Sequence, residues 1–268
     1  MTPTERTLAA ILNEYPAVLR RFLAPSLQRC AWQIDVVRRG VGSNATVVDV
    51  GGAVSLFAPG CAAIGMRAIL IDDSFDDDDR EIGAAKREAI ARVIRPRGVM
   101  VMRRDIGVDG VGIPPESADA FTSFGVLEHL HRSPKAALHE MWKGLRPGGL
   151  LLIGTPNRAN LRKRIALLFG GAKWSSMQDW YERPEFRGHV REPDVDDLRY
   201  IVRDLGIPRA AVLGRNWMGT QSPKRPVRVA ARLGDGLLRL RPQLCSDIYL
   251  VGRKLSDGAA DLPRSRAA

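Results

Sequence analysis

Short apolar segments alternate with amphipathic ones in the middle of the chain. Ala118–Val126 is largely apolar and is followed by the polar pair Glu128-His129, as at the end of a strand. Ser133-Pro134 suits a helix start, because Ser caps free N–H groups and Pro fits the first helical position. Apolar residues then recur at helical spacing over Ala137–Leu145, and Leu150–Thr155 is a second apolar run. The pattern predicts one β-α-β unit of a parallel sheet.

The same alternation extends over most of the chain and predicts an α/β fold, a doubly wound and mainly parallel sheet. The predicted strands are Thr46–Val50, Ala68–Ile71, Gly98–Met102, Ala118–Val126, Leu150–Thr155, Ala210–Leu213 and Asp247–Val251. The predicted helices are Glu5–Arg39 with breaks near Pro16 and Pro25, Leu56–Gly65, Arg80–Ile94, the segment after Ser133, Asn160–Gly171 and Val195–Leu205.

A turn is predicted between the helix after Ser133 and the next strand. Its sequence is Arg146-Pro147-Gly148-Gly149. Pro fixes φ at one corner position and Gly supplies the positive φ that the next position requires.

One large domain with additions is expected from a chain of 268 residues. Residues 1–45 are expected to be a helical cover and 46–254 the main domain. Within that domain we expect a lid over about 157–192 and a Pro- and Arg-rich insertion over about 216–242. The tail 255–268 is small, polar and charged, and is expected to be disordered.

Composition narrows the class of protein. The 45% apolar and 26% charged content is ordinary for a globular protein. There is no apolar run of about eighteen residues and no signal-peptide pattern. The three cysteines never have CxxC spacing, which argues against a disulfide framework or structural zinc and favours the cytoplasm. No metal site is predicted.

The net charge of +11 is carried mostly by arginine. Such a surface can attract nucleic acid, anionic lipid or a phosphorylated substrate. Nucleic acid is the unlikely partner, since the sequence has neither an aromatic-interleaved RNA motif nor a DNA-reading module. The segment Leu161–Gly171 is basic and apolar together, which suits a lipid-like substrate or a peripheral membrane contact. A buried helix with a basic edge explains it as well.

Acidic residues stand at the ends of three successive predicted strands, namely Asp49, Asp72 and Asp105. The glycine turn Gly51-Gly52 after the first strand lets the backbone approach a ligand closely. Asp72, about 20 residues further on, is placed to accept hydrogen bonds from ribose hydroxyls. These residues predict a nucleoside site, which a nicotinamide-dependent enzyme would also show.

Taken in order, the motifs resemble those of class I S-adenosylmethionine-dependent methyltransferases, in particular the type 11 and type 12 small-molecule group. The similar segments are Val47–Gly52, Ile69–Asp72, Arg104–Ile106, Val126–Leu130 and Leu145–Gly149, with Thr155-Pro156-Asn157 after them. The resemblance covers about Thr46–Gly206. It implies a seven-stranded, mainly parallel sheet with an antiparallel last strand, and S-adenosylmethionine as cofactor.

The resemblance also assigns residues to parts of that cofactor. Asp49, Gly51 and Gly52 would lie near the methionine moiety, and Asp72 would bind the ribose. Asp105 and Ile106 would flank the adenine, while Phe124 and Gly125 would face the sulfonium. The chain departs from the family at Ala53 and Ser55, where glycine is usual.

Candidates for the chemistry are inferred from their position. Glu128 and His129 follow the fourth strand, beside the expected methyl group, and His129 has a suitable reference pKa for a general base. A structural role for His129 at this corner is the alternative. His189, with Arg191, precedes the helix near Pro193 and either lines the site or orders the helix entry. Trp174, Trp180 and Tyr181 either form an apolar acceptor wall or pack the lid.

The sequence therefore predicts a methyltransferase acting on an oxygen or nitrogen of a small-molecule, sugar or lipid-linked acceptor. A non-catalytic protein with a decayed methyltransferase fold is one alternative, suggested by Ala53 and Ser55. A nicotinamide-dependent oxidoreductase is a less favoured alternative.

Overall fold

Seven strands form one mixed sheet in the computed structural model, which describes residues 1–52, 54–73, 83–171, 175–182, 186, 188–220 and 225–256. The strands are β1 (Thr46–Val50), β2 (Arg67–Ile71), β3 (Met100–Met102), β4 (Ala118–Phe124), β5 (Leu145–Pro156), β6 (Arg209–Arg215) and β7 (Asp247–Arg253). Their order across the sheet is 3-2-1-4-5-7-6. The first five strands are parallel, and β7 is antiparallel to both β5 and β6. The predicted fold class is confirmed.

Helices cover the sheet and occupy the connections between its strands. They are α1 (Pro3–Glu14), α2 (Ala17–Leu23), α3 (Leu27–Val41), α4 (Phe57–Ala63), α5 (Ala84–Ile94), α6 (Lys135–Gly144), α7 (Leu161–Leu168), α8 (Met177–Tyr181), α9 (Val195–Asp204), α10 (Trp217–Thr220) and α11 (Arg225–Arg239). Among the described residues, no helix has both the length and the apolar character needed to cross a bilayer. The predicted tail lies outside this part of the chain from residue 257 onward.

The sheet is buried on both faces, as its near-continuous apolar strands require. Neighbouring residues on a strand therefore belong to different cores: Leu152 packs with α1, α3, α4 and α5, whereas Leu151 packs with α6 and α9. Both side chains are fully buried. This arrangement fixes the register of each strand, because a one-residue slip would exchange its two faces.

Helix α4 starts where the sequence predicts it, although Pro59 and Gly60 lie within its first turns. A Cβ atom on Gly60 would lie 2.5 Å from Cδ2 of Leu8 and 2.6 Å from Cδ1 of Ile34. Glycine at this position lets α4 approach α1 and α3 closely. The N-terminal helices are thereby fixed against the first crossover of the sheet.

The predicted turn at Arg146–Gly149 is instead part of β5. The pairing passes from Ala118–Leu145 to Ala120–Leu150 through a register shift, and Gly148 has φ +80°. The N–H of Gly148 donates to the carbonyl of Lys254, and the N–H of Lys254 donates to the carbonyl of Gly149. The Pro-Gly-Gly sequence therefore makes a bulge, because the chain beyond β7 supplies the hydrogen bonds that keep it in the sheet.

The strand ends that are relevant to ligand binding lie together at one edge of the sheet. The carboxyl ends of β1, β2, β4 and β5 meet there, and Pro156 at the end of β5 pairs with Asp247 at the start of β7. Asp247 also pairs with Arg215, the last residue of β6. The connections that leave β5 and β6 therefore begin at the same edge.

Candidate active site

A cavity of about 1030 Å³ lies at the carboxyl edge of the sheet, where the chain order reverses between β1 and β4. Open α/β sheets bind ligands at this position, because the connections on either side diverge and leave a crevice. The predicted cofactor-binding residues, together with Glu128, His129 and His189, all line this one cavity.

Gly51 and Gly52 form the tight turn after β1. Gly51 has φ +79°, and a Cβ atom on it would collide with Cγ2 of Val126. A Cβ atom on Gly52 would collide with Oδ2 of Asp49. Glycine is therefore required at both positions for the backbone to close over Asp49 while remaining open to the cavity.

Asp49 is a buried carboxyl group at the base of that turn. Its Oδ1 accepts a hydrogen bond from the Thr122 hydroxyl at 2.8 Å, and no described residue donates to its Oδ2. Burial raises the pKa of Asp49 to about 7, the Thr122 hydrogen bond opposes this, and the nearby Asp72 adds to it. A buried acceptor without a donor is costly, so this atom favours a ligand that brings a donor or a positive charge.

Asp72 and Asp105 follow β2 and β3 on the cavity wall. Asp72 is almost buried, whereas Asp105 is exposed and its Oδ1 accepts the Gly107 N–H at 2.8 Å. Asp105 therefore closes a local turn in addition to lining the cavity, and Ile106 lies beside it. The predicted contacts of these residues with ribose and adenine remain predictions.

The end of β4 brings an aromatic ring and a glycine to the cavity. The ring of Phe124 packs edge-on against Phe57, with centroids 5.0 Å apart. Gly125 has φ +70°, and its N–H donates to the carbonyl of Gly154 on β5 at 2.9 Å. The strand end is thus held in place while Gly125 stays open toward the cavity.

Glu128 belongs to a single 3₁₀ turn, Leu127–His129, that follows β4. Its side chain is 2% exposed and its Oε2 accepts the Thr155 hydroxyl at 3.2 Å. Its carbonyl accepts N–H groups of Val190 and Arg191, so the turn is joined to the segment that carries His189. Burial raises the pKa of Glu128, although its own backbone N–H and the charge of His189 oppose the shift.

His129 and His189 meet beside Glu128. Their ring centroids are 4.8 Å apart, and one polar atom from each of the three side chains lies within 4.8 Å of the other two. Nδ1 of His189 lies 2.7 Å from Oε1 of Glu192, which is also paired with Lys163. The Glu192 hydrogen bond raises the pKa of His189. The cavity thus contains a cluster of three titratable groups close to one another.

The pKa of Glu192 shifts in the opposite direction. Burial would raise the pKa of its carboxyl, but the hydrogen bonds from His189 and Lys163 outweigh burial and lower it. Glu192 therefore stays ionised and holds one ring nitrogen of His189, as a carboxylate does in many acid–base pairs.

Several residues that the sequence analysis singled out have contacts or exposure that do not depend on a ligand. Arg191 pairs with Asp197 at 2.7 Å, so it orders the start of α9. Ser55 lines the cavity, but its hydroxyl also accepts the Phe57 N–H at the start of α4. Trp180 and Tyr181 are largely exposed on α8. Ala53 and Trp174 lie outside the described residues.

The sequence analysis missed the wall of the cavity opposite the acids. Arg29 and Gln33 on α3, together with Asp247 and Tyr249 on β7, line it. The Tyr249 hydroxyl accepts the indole N–H of Trp217 at 2.9 Å and lies 3.5 Å from Nε2 of Gln33. No local pattern could have revealed these residues, because they come from opposite ends of the chain and lie in ordinary helix and strand positions.

Comparison with known families agrees with this geometry. Residues 15–207 match a family model described as a methyltransferase domain. The chain belongs to this methyltransferase family. The class I resemblance drawn from the motifs is thereby confirmed, and S-adenosylmethionine is the cofactor of the class.

Several individual proteins are similar to this methyltransferase. A probable S-adenosylmethionine-dependent methyltransferase of Mycolicibacterium smegmatis is 35% identical over 79 residues, which is 30% of either chain. The match thus spans under a third of that relative's length.

Solved structures share the fold at low identity. A Thermotoga maritima S-adenosylmethionine-dependent methyltransferase, described as a possible histamine N-methyltransferase, has a TM-score of 0.52 at 16% identity, covering 88% of this chain and 92% of its own. One from Mesorhizobium loti has a TM-score of 0.52 at 16% identity, covering 84% and 97%. Haemonchus contortus phosphoethanolamine N-methyltransferase 2, in complex with S-adenosyl-L-methionine, has a TM-score of 0.52 at 13% identity, covering 84% and 52%.

The residues of this methyltransferase fit the cofactor. The cofactor carries an ammonium group, which matches the acceptor of Asp49 that lacks a donor, and two ribose hydroxyls, which match the Asp72 carboxylate. The glycine turn closes over Asp49 where Cβ atoms would collide with Val126 and Asp49, and its backbone lines the cavity. These observations make Asp49, Gly51, Gly52 and Asp72 the residues that would hold it.

Proposed function

We propose that the protein transfers a methyl group from S-adenosylmethionine to an oxygen or nitrogen of a small-molecule, sugar or lipid-linked acceptor. The observation that carries this proposal is the Glu128–His129–His189 cluster on the wall of the cavity that holds the cofactor residues. The acids of β1 and β2 line one end of the cavity. The cluster and Asp247 line the part beside β4, β5 and β7.

The chain's own task in such a reaction is to align the acceptor and to accept its proton. The cofactor supplies an electrophilic methyl group, so the acceptor needs orientation and a lone pair more than activation. His189 suits the proton transfer, because Glu192 holds its Nδ1 and leaves Nε2 for the acceptor. The buried Glu128 and the ring of His129 fix the position of His189 from the other side.

Among the alternatives, the structure favours methyl transfer over hydride transfer. A dinucleotide-binding sheet has the order 3-2-1-4-5-6 with parallel strands, whereas here the antiparallel β7 lies between β5 and β6. The family match points the same way. A non-catalytic scaffold would bind the cofactor and transfer no methyl group.

Calorimetric titration with S-adenosylhomocysteine, and separately with NAD, tests the cofactor. Binding of the nucleotide thioether alone is expected. The variant Asp72→Asn should weaken that binding by about tenfold or more through the loss of charge-assisted hydrogen bonds. Asp196→Asn is the matched control, because Asp196 lies exposed on α9. Binding of NAD alone would overturn the proposal.

Transfer itself is tested with methyl-labelled cofactor and a cell extract separated into small-molecule and lipid fractions. Label is expected in one fraction for the wild type and at a much lower level for His189→Gln. Cofactor binding without any transfer would indicate the non-catalytic scaffold. Loss of transfer on adding a chelator would instead assign Glu128, His129 and His189 to a metal ion, since their spacing also suits one.

We also propose that the protein works in the cytoplasm. All three cysteines are buried and unpaired, and burial raises the pKa of Cys30 and Cys61. Such thiols are typical of a reducing compartment. Mass analysis of protein purified without reductant should find three free thiols, whereas a disulfide would contradict this assignment.

A further inference from the structure

Helix α11 presents an apolar stripe to solvent. Val229, Leu233, Leu237 and Leu240 are 48%, 80%, 75% and 77% exposed. Their spacing of four, four and three residues places them on one face of the helix. Scattered exposed apolar residues are common, but three in register on one helix, with Leu240 directly after its last residue, form a contiguous surface that favours a partner.

The opposite face of α11 is fixed to the protein. Asp235 is nearly buried, its Oδ1 accepts from Nδ2 of Asn216 at 2.9 Å, and it is paired with Arg239. Oδ1 of Asn216 in turn accepts the Ser246 N–H at 3.0 Å. These contacts tie α11 to the chain at both β6 and β7. The apolar stripe is therefore held outward by polar contacts behind it.

The connection that carries α11 begins and ends at the edge of the sheet where the cavity lies. Helix α11 leaves the sheet after Arg215 and returns at Asp247, which pair with each other at the carboxyl edge. Asp247 lines the cavity. An object bound to α11 would thus be near the cavity.

Two further segments at this edge expose large apolar side chains. Leu168 and Phe169, at the end of α7, are 82% and 87% exposed. Phe22 on α2 is 68% exposed and lines the cavity itself. Phe22 therefore places an exposed apolar side chain on the cavity wall itself. We call the exposed side chains of α11, α7 and α2 the docking face.

Arginine and lysine accompany these apolar residues. The exposed ones on α11 and just beyond it are Arg225, Arg232 and Arg241, and those on α7 are Arg162 and Arg164, whereas Arg239 and Lys163 are held in ion pairs with Asp235 and Glu192. The only acidic residue of α11 is Asp235, which is nearly buried and paired. The docking face is thus apolar and strongly basic at once, the combination that binds the interface of an anionic bilayer.

We propose that the docking face binds the surface of an anionic lipid bilayer and holds the cavity beside it. The apolar side chains would enter the headgroup region while the arginines meet lipid phosphates. A second copy of the chain fits less well, because a two-fold contact would set the same arginines against each other. The inference goes beyond methyl transfer, since membrane binding requires neither cofactor nor acceptor.

Vesicle co-sedimentation tests whether the docking face binds a bilayer, using phosphatidylcholine vesicles with and without about 30% phosphatidylglycerol. We expect binding to the anionic vesicles, weakening as salt is raised, and little binding to the neutral ones. Leu233→Ser/Leu237→Ser should reduce binding by at least about tenfold, because two exposed leucines would no longer enter the interface. Met100→Ser is the matched control, an exposed apolar residue at the opposite edge of the sheet.

The outcomes separate this inference from the methyltransferase proposal. S-adenosylhomocysteine affinity is measured on the same samples and should be unchanged in the double variant, which also reports that it folds. Equal binding of wild type and double variant, or no binding to anionic vesicles, overturns the docking face. Concentration-dependent dimers that the double variant abolishes, without vesicle binding, would assign the stripe to self-association instead.

Discussion

Nδ1 of His189 lies 2.7 Å from Oε1 of Glu192, and Lys163 pairs with the other oxygen of the same carboxylate. The pairing makes the charge on His189 depend on a residue that does not line the cavity. It also fixes the orientation of the imidazole, since only one ring nitrogen can face Glu192. The first prediction follows from this relationship.

Removing the Glu192 charge should lower the pKa of His189. The hydrogen bond and charge of Glu192 favour the protonated ring, so Glu192→Gln removes the main cause of the raised pKa. If turnover requires neutral His189, the acidic limb of the pH–rate profile moves to lower pH. NMR titration of the imidazole measures the shift directly. Glu88→Gln, on the exposed face of α5, is the control, and an unchanged titration in Glu192→Gln would contradict this pairing.

His129→Ala should separate chemistry from cofactor binding. If His129 positions or transfers a proton, turnover falls by about 10²–10⁴ while S-adenosylhomocysteine affinity stays within about twofold. His139→Ala serves as the control, because His139 pairs with Asp204 outside the cavity. Loss of affinity and turnover together in His129→Ala would show that the residue orders the turn after β4 instead.

Asp49→Asn is expected to stabilise the protein while weakening cofactor binding. The carboxyl has a folded-state pKa of about 7, above its unfolded value, so its contribution to stability is present at low pH and lost as pH rises toward neutrality. The variant should therefore raise the free energy of unfolding by about 1–3 kcal/mol at pH 8 and by less at pH 5. Urea denaturation at the two pH values measures the difference.

The same variant tests the ligand contact of Asp49. Wild-type affinity for S-adenosylhomocysteine should rise as pH increases through about 7, because the ionised carboxylate pairs with the ligand's ammonium group. Asp49→Asn should bind more weakly by about tenfold or more and should lose this pH dependence. Calorimetry at pH 6 and pH 8 measures the affinity of both proteins for S-adenosylhomocysteine. A pH dependence of affinity that the variant retains would exclude Asp49 as its source.

Gly51→Ala should destabilise the protein and abolish cofactor binding. The residue has φ +79°, and the added methyl group would collide with Val126. Gly234→Ala is the matched control, because no atom lies within 4 Å of its Cβ position on α11. That substitution should stabilise the protein by about 0.5–1 kcal/mol through helix propensity. Thermal unfolding measures the stability of both variants. An equal change in Tm for Gly51→Ala and Gly234→Ala would contradict the geometry of the turn.

The succession of strands along the chain was predictable because each strand carries its own local signal. Buried strands read as short apolar runs, and Asp49 and Asp72 mark strand ends within a few residues of them. Parallel pairing then places those acids at one edge. The bulge at Gly148 was not predictable, because its hydrogen bonds come from Lys254, more than a hundred residues away.

Other parts of the site depend on contacts that only the folded chain creates. Gln33 and Tyr249 meet across 216 positions of sequence, and nothing near either residue marks it. His189 was noticed from its position, but its partner Glu192 was not, since the intervening residues form no regular element. The apolar stripe of α11 was obscured by Pro226, Gly234 and Gly236, which favour an irregular segment when only the sequence is considered.

The antiparallel β7 has a consequence for comparing related chains. The segment shared with the family ends at residue 207, before β6, α11 and β7. Asp247 and Tyr249 on β7 nevertheless form part of the cavity wall, on the side away from the acids. We therefore expect that relatives grouped by the sequence of the shared segment share a methyl donor. Relatives grouped by the sequence that corresponds to residues 208–256 should instead share the acceptor that they methylate.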